Sequence, residues 1–185
     1  GALTVVAADS PHSLNNPTTV VDARTGTILL VYQRIPGHLK EMSAAIEPGY
    51  EGPNVFRTYV RTSADDGLSW SPPREITRGT KRPTGATTVC SGPGSGIQLT
   101  RGAHQGRILL PFNEGPFWEW NNYAAWSDDG GHTWQYGADV PGVMLRDSTA
   151  RRRSQVNEVQ FVELADGSPS PQMADLCALP MMLCV

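Results

Sequence analysis

Short runs in which apolar and polar residues alternate pattern this chain, and they favour strands over long helices. Positions 18–22 and 27–32 are β-branched and apolar, and Ala23-Arg24-Thr25-Gly26 between them is a hairpin signal. The same pairing recurs at 96–100 and 107–112 around the polar segment 101–106. A third strand follows each hairpin, at 56–62 and at 123–126, and each runs straight into a tight turn.

Those two turns repeat each other. Ser63-Ala-Asp65-Asp66-Gly67-Leu-Ser69-Trp70 and Ser127-Asp-Asp129-Gly130-Gly131-His-Thr133-Trp134 both read S-x-D-x-G-x-[S/T]-W, 64 residues apart (63 to 127). In each, Asp can accept backbone N–H bonds, Gly supplies a positive φ, and Trp can wedge between sheets. Ser63, Asp65, Gly67 and Trp70, with Ser127, Asp129, Gly131 and Trp134, are therefore expected to be structural. Asp65-Asp66-Gly67 lacks the alternating ligands and closing Glu of an EF-hand loop, so no calcium site is expected. A third unit begins at Glu158, with a strand over 159–164 and a turn at Ala165-Asp166-Gly167. Four-stranded antiparallel units repeating about every 60 residues describe an all-β fold, a β-propeller.

Composition agrees. Nineteen Gly and fifteen Pro in 185 residues call for many turns. The net charge of −3 argues against a nucleic-acid partner. No apolar run reaches the roughly 18 residues of a membrane span, and Gly1–Val6 has no basic leader region. Three cysteines without a CxxC and four scattered histidines suggest neither a disulfide framework nor a metal site, and no cofactor is expected.

In an up-and-down blade the 1–2 and 3–4 turns share one rim, so the opposite rim collects the remaining strand ends. That second rim would gather Asn15-Asn16, Arg34, Asn113-Glu114 and Asn157-Glu158, walled by the long loops 33–55 and 113–122. Strand one is innermost, which places Asn16, Gly96 and Glu158 near the propeller axis. Glu158 opens the apolar strand Val159-Gln-Phe161-Val162, so it is expected to be partly desolvated and suited to proton abstraction. The aromatic cluster Phe117-Trp118-Glu119-Trp120 offers rings for a sugar face, with a small loop core as the plainer reading.

Four further motifs carry a resemblance. They are Asn16-Pro17-Thr-Thr-Val-Val-Asp22-x-x-Thr25-Gly26-Thr27, Trp70-Ser71-x-Pro73-Arg74-Glu75-Ile76-Thr77, Gly92-Pro93-Gly94-x-Gly96-Ile97-Gln98-Leu99 and Asn157-Glu158-x-Gln160-x-Val162-Glu163-Leu164-x-Asp166-Gly167. In this order, and with the two S-x-D-x-G turns as Asp boxes, residues 16–167 resemble the exo-α-sialidases. The resemblance implies a six-bladed propeller, of which about two and a half blades lie here. It also implies cleavage of terminal sialic acid with retention. The sugar carries a carboxylate on its anomeric carbon, which would repel a carboxylate nucleophile, and these enzymes use tyrosine instead. A glutamate activates that tyrosine, an aspartate is acid/base, and three arginines clamp the carboxylate. By its motif Glu158 matches the activating glutamate, Asn16 a contact to the N-acetyl arm, and Asn113 a position near the glycerol tail. Glu114, Trp118 and Trp120 are further candidate substrate contacts.

The departures are specific. Arg34-Ile35-Pro36 looks like the family's first arginine motif but follows a second strand, where the family needs no arginine. Residues 1–167 read as a partial propeller. Residues 168–185, Ser-Pro-Ser-Pro through Cys184-Val185, match no family strand and are expected to be an irregular tail. The chain alone is then expected to be inactive, because Glu158 is the one member of the catalytic set that its motifs match. The resemblance implies sialylated glycoconjugates as partners and a secreted, periplasmic or lysosomal setting. Open sheet edges imply self-association. The rival reading is a non-catalytic sialidase-like propeller that binds glycans or protein. Arg151-Arg152-Arg153 reads as a solvated loop.

Overall fold

The computed structural model describes residues 3–117, 119–141, 144–146, 152–154, 156–163 and 182–184. The first blade comprises β1 (Ser13–Asp22), β2 (Thr27–Ile35), β3 (Arg57–Ser63) and the short β4 (Arg74–Glu75), followed by a single helical turn, α1 (Thr77–Thr80). In the second blade the innermost strand is broken into β5 (Val89–Ser91), β6 (Gly94–Ser95) and β7 (Ile97–Gln98). Outside it lie β8 (Ile108–Glu114), β9 (Asn121–Ser127), β10 (Gln135–Tyr136) and β11 (Val140–Pro141). Beyond these come β12 (Met144–Arg146), β13 (Arg152–Ser154), β14 (Val159–Phe161) and β15 (Met182–Cys184).

The sheet orders are β4-β3-β2-β1 and β10-β9-β8-β5, each antiparallel in chain order, as a meandering blade requires. Three expectations need correction. The strand expected over 96–100 is fragmented, because Gly92-Pro93-Gly94 bends the chain so that β6 pairs in parallel with β1, Thr18 opposite Gly94. Arg152 and Arg153 lie in a strand paired with β12 rather than in a loop. Within the tail expected to be irregular, Met182–Cys184 pairs with β14.

Two-residue periodicity decides which blade faces which. On β8, Ile108, Leu110 and Phe112 point to one side and join Leu29, Val31, Val60 and Tyr123 in the core between blades one and two. Leu109 points the other way and packs with Leu99, Ala124, Val159 and Phe161. All seven residues of β8 are buried, so the second blade is covered on both faces. Glycine permits the closest approaches. A Cβ on Gly92 would stand 2.4 Å from the Val159 carbonyl oxygen, and one on Gly131 would stand 2.1 Å from Leu29 Cδ2.

The two Asp boxes are built bond for bond alike. Ser63 Oγ donates to Asp65 Oδ1 (2.8 Å), Ser69 N–H to the same oxygen (2.9 Å), and Ser69 Oγ to Oδ2 (2.6 Å). Ser127, Asp129 and Thr133 repeat this at 2.8, 2.8 and 2.6 Å. Each Trp indole then donates back to its glycine carbonyl, Trp70 to Gly67 and Trp134 to Gly131. Trp134 is buried between the blades, whereas Trp70 is half-buried.

Side chains stitch neighbouring blades near the hairpin rim. Gln98 Nε2 donates to Asp22 Oδ1 (2.9 Å), while the Ala23 N–H donates to Gln98 Oε1 (2.7 Å). One blade on, the Thr100 N–H and hydroxyl donate to the Glu163 carboxylate. Arg24 hydrogen bonding, with help from Gln98, holds the Asp22 carboxyl at about 2 against the opposing effect of burial. A carboxyl depressed on folding stabilises the protein above its unfolded value near 3.8, and that stability is lost as pH falls through about 2. Arg24 is half-exposed, so water screens part of the effect. Asp22→Asn is expected to cost about 1–2 kcal/mol at pH 7 and to flatten the stability profile between about pH 4 and pH 2. Denaturant titrations across that range check it, and an unchanged slope would remove Asp22 from the acid response.

Candidate functional site

A bulge opens the rim opposite the hairpins. The register of β1 on β2 slips between Asn15 and Thr18, where Pro17 has no N–H to donate and Asn16 takes φ +51°. Asparagine tolerates that left-handed conformation better than other non-glycine residues. The Asn16 carbonyl thereby accepts from Ser91 Oγ on β5 (2.7 Å), and the Ser91 N–H donates to Gln33 Oε1 on β2 (3.0 Å). The neighbouring Thr18 hydroxyl donates to the Gly92 carbonyl.

Next along the rim, Asn113 lies opposite Cys90 in the β5–β8 register. Its Nδ2 donates to Asn157 Oδ1 (3.0 Å), which brings the start of the third blade against the second. Glu158 follows directly. Buried polar atoms at these strand ends, among them Gln33 Nε2, Thr88 Oγ1, Asn113 Oδ1 and Glu114 Oε2, have no hydrogen-bond partner among the described residues. Buried polar groups are normally paired, so such atoms mark a place for water or a polar ligand.

The structure brings Asn16, Asn113 and Glu158 onto one rim but corrects other expectations. Glu158 is exposed, not desolvated: β14 starts only after it, so its side chain stands outside the strand's apolar face. The half-buried carboxyl of this rim is Glu41, from the loop after β2. Burial pushes its pKa up and the Glu158 charge adds to that, while the Cys90 thiol, 3.9 Å away, partly opposes it. Burial also drives the Cys90 thiol strongly up. Glu41 lacked any signal in the sequence, because irregular loops have no periodicity to betray which side faces inward.

Glu114 alternates away from Asn113 along β8 and is buried, paired with Arg82 Nη1 at 2.5 Å. Its carboxyl is raised by burial, with Arg82 opposing. It is an internal ion-pair partner, not an open sugar contact. Trp120 is only 4% exposed and meets Phe117 edge-on at 5.3 Å, so the loop-core reading holds for it and no face is free for stacking. Trp118 lies outside the described residues. Glu41, Met42, Thr88 and Phe117 line a cavity of about 390 Å³ where the two rim-side loops approach each other.

Four-stranded antiparallel blades, a polar rim at the inner strand ends and paired Asp boxes define an all-β protein of the propeller class. A family model described as a BNR repeat-like domain matches residues 1–173, and the chain belongs to that family. Human sialidase-4 is 34% identical over 160 residues, covering 77% of this chain and 31% of its own length. The sialidase of Micromonospora viridifaciens is 34% identical over 161 residues, covering 83% and 22%. The chain thus spans less than a third of the length of these curated relatives. Among solved structures, a Hadza microbial sialidase aligns with a TM-score of 0.65 at 24% identity, over 81% of this chain and 26% of that one. The intramolecular trans-sialidase from Ruminococcus gnavus aligns at 0.64 and 15% identity, over 88% and 49%. At these identities the alignments speak for the fold, a sialidase-type β-propeller.

Proposed function

We propose that this protein is a sialidase-like glycoside hydrolase that releases terminal sialic acid from glycoconjugates with retention, and that Glu158 activates its tyrosine nucleophile. The observation that carries the reading is the gathering of Asn16, Asn113, Asn157 and Glu158 on one rim with unpartnered buried polar atoms. Relatives named sialidases support it. Asn16 and Asn113 then contact the N-acetyl arm and the glycerol tail. An exposed Glu158 is free to accept a proton from an incoming phenol.

In any preparation of the protein that turns over a fluorogenic sialoside, Glu158→Gln is expected to lower kcat roughly a hundredfold with little change in KM. An unchanged kcat would remove Glu158 from the mechanism. The 185-residue polypeptide tested by itself is expected not to cleave 3′-sialyllactose, since only Glu158 of the catalytic set is matched in it. Turnover by that polypeptide would overturn the residue assignment. Binding of 3′-sialyllactose that is lost on Asn16→Ala or Asn113→Ala, without turnover in any preparation, would favour the second reading, a glycan-binding propeller, which an exposed Glu158 also suits. Association through open sheet edges is checked by sedimentation over a range of concentrations.

A further inference from the structure

We infer that the outer wall between the first two blades holds a second ligand site, built for a small acidic sugar. A cavity of about 440 Å³ opens there, where α1 of the first blade meets the Asp box of the second. That volume lies within the range of small-molecule sites. It is separate from the rim site: neither Glu158 nor any of the rim asparagines lines it.

Its charge is the first clue. Three guanidiniums, those of Arg57, Arg74 and Arg78, line the cavity against two carboxylates, Glu51 and Glu75. Arg57 Nη1 spans both oxygens of Glu75 at 3.0 and 3.2 Å. Arg78 meets Glu51 at 2.6 Å, but both side chains are largely exposed, at 68% and 80%, so that pair contributes little and opens readily. Arg74 donates only to carbonyls, those of Gly131 (2.5 Å) and His132 (2.9 Å), and pairs with no carboxylate among the described residues. One positive charge is therefore left over. Each guanidinium carries five N–H groups, so every one of the three keeps donors to spare.

The rest of the lining selects the kind of anion. The half-buried Tyr50 ring, with Arg78 stacked 4.7 Å from its centroid on one face, supplies aromatic surface for the C–H face of a pyranose, while Trp134 closes the floor of the cavity from the core. Glu51 and Glu75 can accept hydrogen bonds from sugar hydroxyls, and Glu75 is already held by the Thr77 hydroxyl at 2.8 Å. A bare phosphate dianion would use the guanidiniums but face two carboxylates and leave the Tyr50 ring idle. A neutral sugar would leave the surplus charge unmet. A monoanionic sugar, carboxylated or sulfated, answers both.

Titration of the protein by calorimetry with glucuronate, galactose 6-sulfate, glucose and inorganic phosphate tests this. Glucuronate or the sulfated sugar is expected to bind at least tenfold more tightly than glucose and phosphate, and to weaken as salt is raised. Arg78→Glu, at an exposed position that leaves the fold intact, is expected to lower that affinity at least tenfold, and Tyr50→Leu several-fold. Glu158→Ala at the rim should leave it unchanged, which separates this site from the proposed catalytic one. Equal binding of glucose, tighter binding of phosphate, or an Arg78→Glu affinity within twofold of the parent overturns the proposal. Preference for one acidic sugar over the other identifies whether a carboxylate or a sulfate is the natural group.

Discussion

Replacing Lys81 with methionine is expected to stabilise the protein by about 3 kcal/mol at pH 7. The Lys81 side chain is fully buried, and among the described residues its ammonium reaches only the Glu47 carbonyl, at a marginal 3.5 Å. Desolvation lowers its pKa from 10.5 to about 8, opposed by the Glu114 charge and reinforced by Arg57. The sign follows from linkage. Between about pH 8 and pH 10.5 the unfolded chain holds a proton on this lysine that the folded protein has released, so stability rises with pH across that window. Below pH 8 the folded state carries the full cost of a buried charge, and methionine of similar length removes it. Denaturant unfolding of the parent and Lys81→Met at pH 7 and at about pH 10 checks both halves. The variant should be the more stable at pH 7, and the gap should narrow by pH 10. A destabilised variant at pH 7 would mean that the ammonium has better partners than the Glu47 carbonyl.

Arg82 carries the opposite expectation. Its guanidinium bridges Glu114 (2.5 Å) and Asp139 (2.6 Å), donates to the Gly137 carbonyl, and lies over the rings of Tyr123 (4.7 Å) and Tyr136 (5.2 Å). Arg82→Met leaves the buried Glu114 carboxylate without its cation, and removing one partner of a buried pair typically costs about 3–5 kcal/mol. Lysine should restore only part of this, since a single ammonium nitrogen cannot reproduce the planar spread by which Nη1 and Nη2 reach separate acceptors. Adding Glu114→Gln to Arg82→Met should recover a good share of the loss, because the neutral amide no longer requires a cation. A double-variant cycle by chemical denaturation reads the coupling. A cost below about 1 kcal/mol for Arg82→Met would show that water reaches Glu114 and that the pair is not truly buried.

Both residues show where reading a sequence runs out. Lys81 and Arg82 sit in Gly79-Thr-Lys-Arg-Pro83, a stretch that carries no motif or periodicity, and the end of α1 turns them inward between the first blade's long loop and the second blade. Charge patterning assumes that charges face water, and that assumption fails wherever a loop folds over a blade. Glu114 failed similarly: its neighbour Asn113 faces the rim, but strand alternation sends adjacent side chains to opposite sides. For Trp120 the sequence left a sugar contact and a small loop core both open, and only the packing against Phe117 decides for the core.

What the chain wrote plainly was local and periodic. The hairpins, the third strands and the two S-x-D-x-G-x-[S/T]-W turns are set by alternation, turn residues and short-range hydrogen bonds, such as those of Asp65 and Asp129 within four residues of themselves. Topology then followed from repetition, since like segments form like blades, and it placed Asn16, Asn113 and Glu158 on one rim in advance. The tertiary structure alone decided what depends on distance through space. It paired β6 with β1, brought Glu41 beside Cys90 with the Glu158 charge acting on it, left Glu158 exposed, and gathered Arg57, Arg74 and Arg78 on the outer wall. Burial and electrostatics are sums over neighbours that are far apart in the chain, and no local pattern encodes which neighbours those will be.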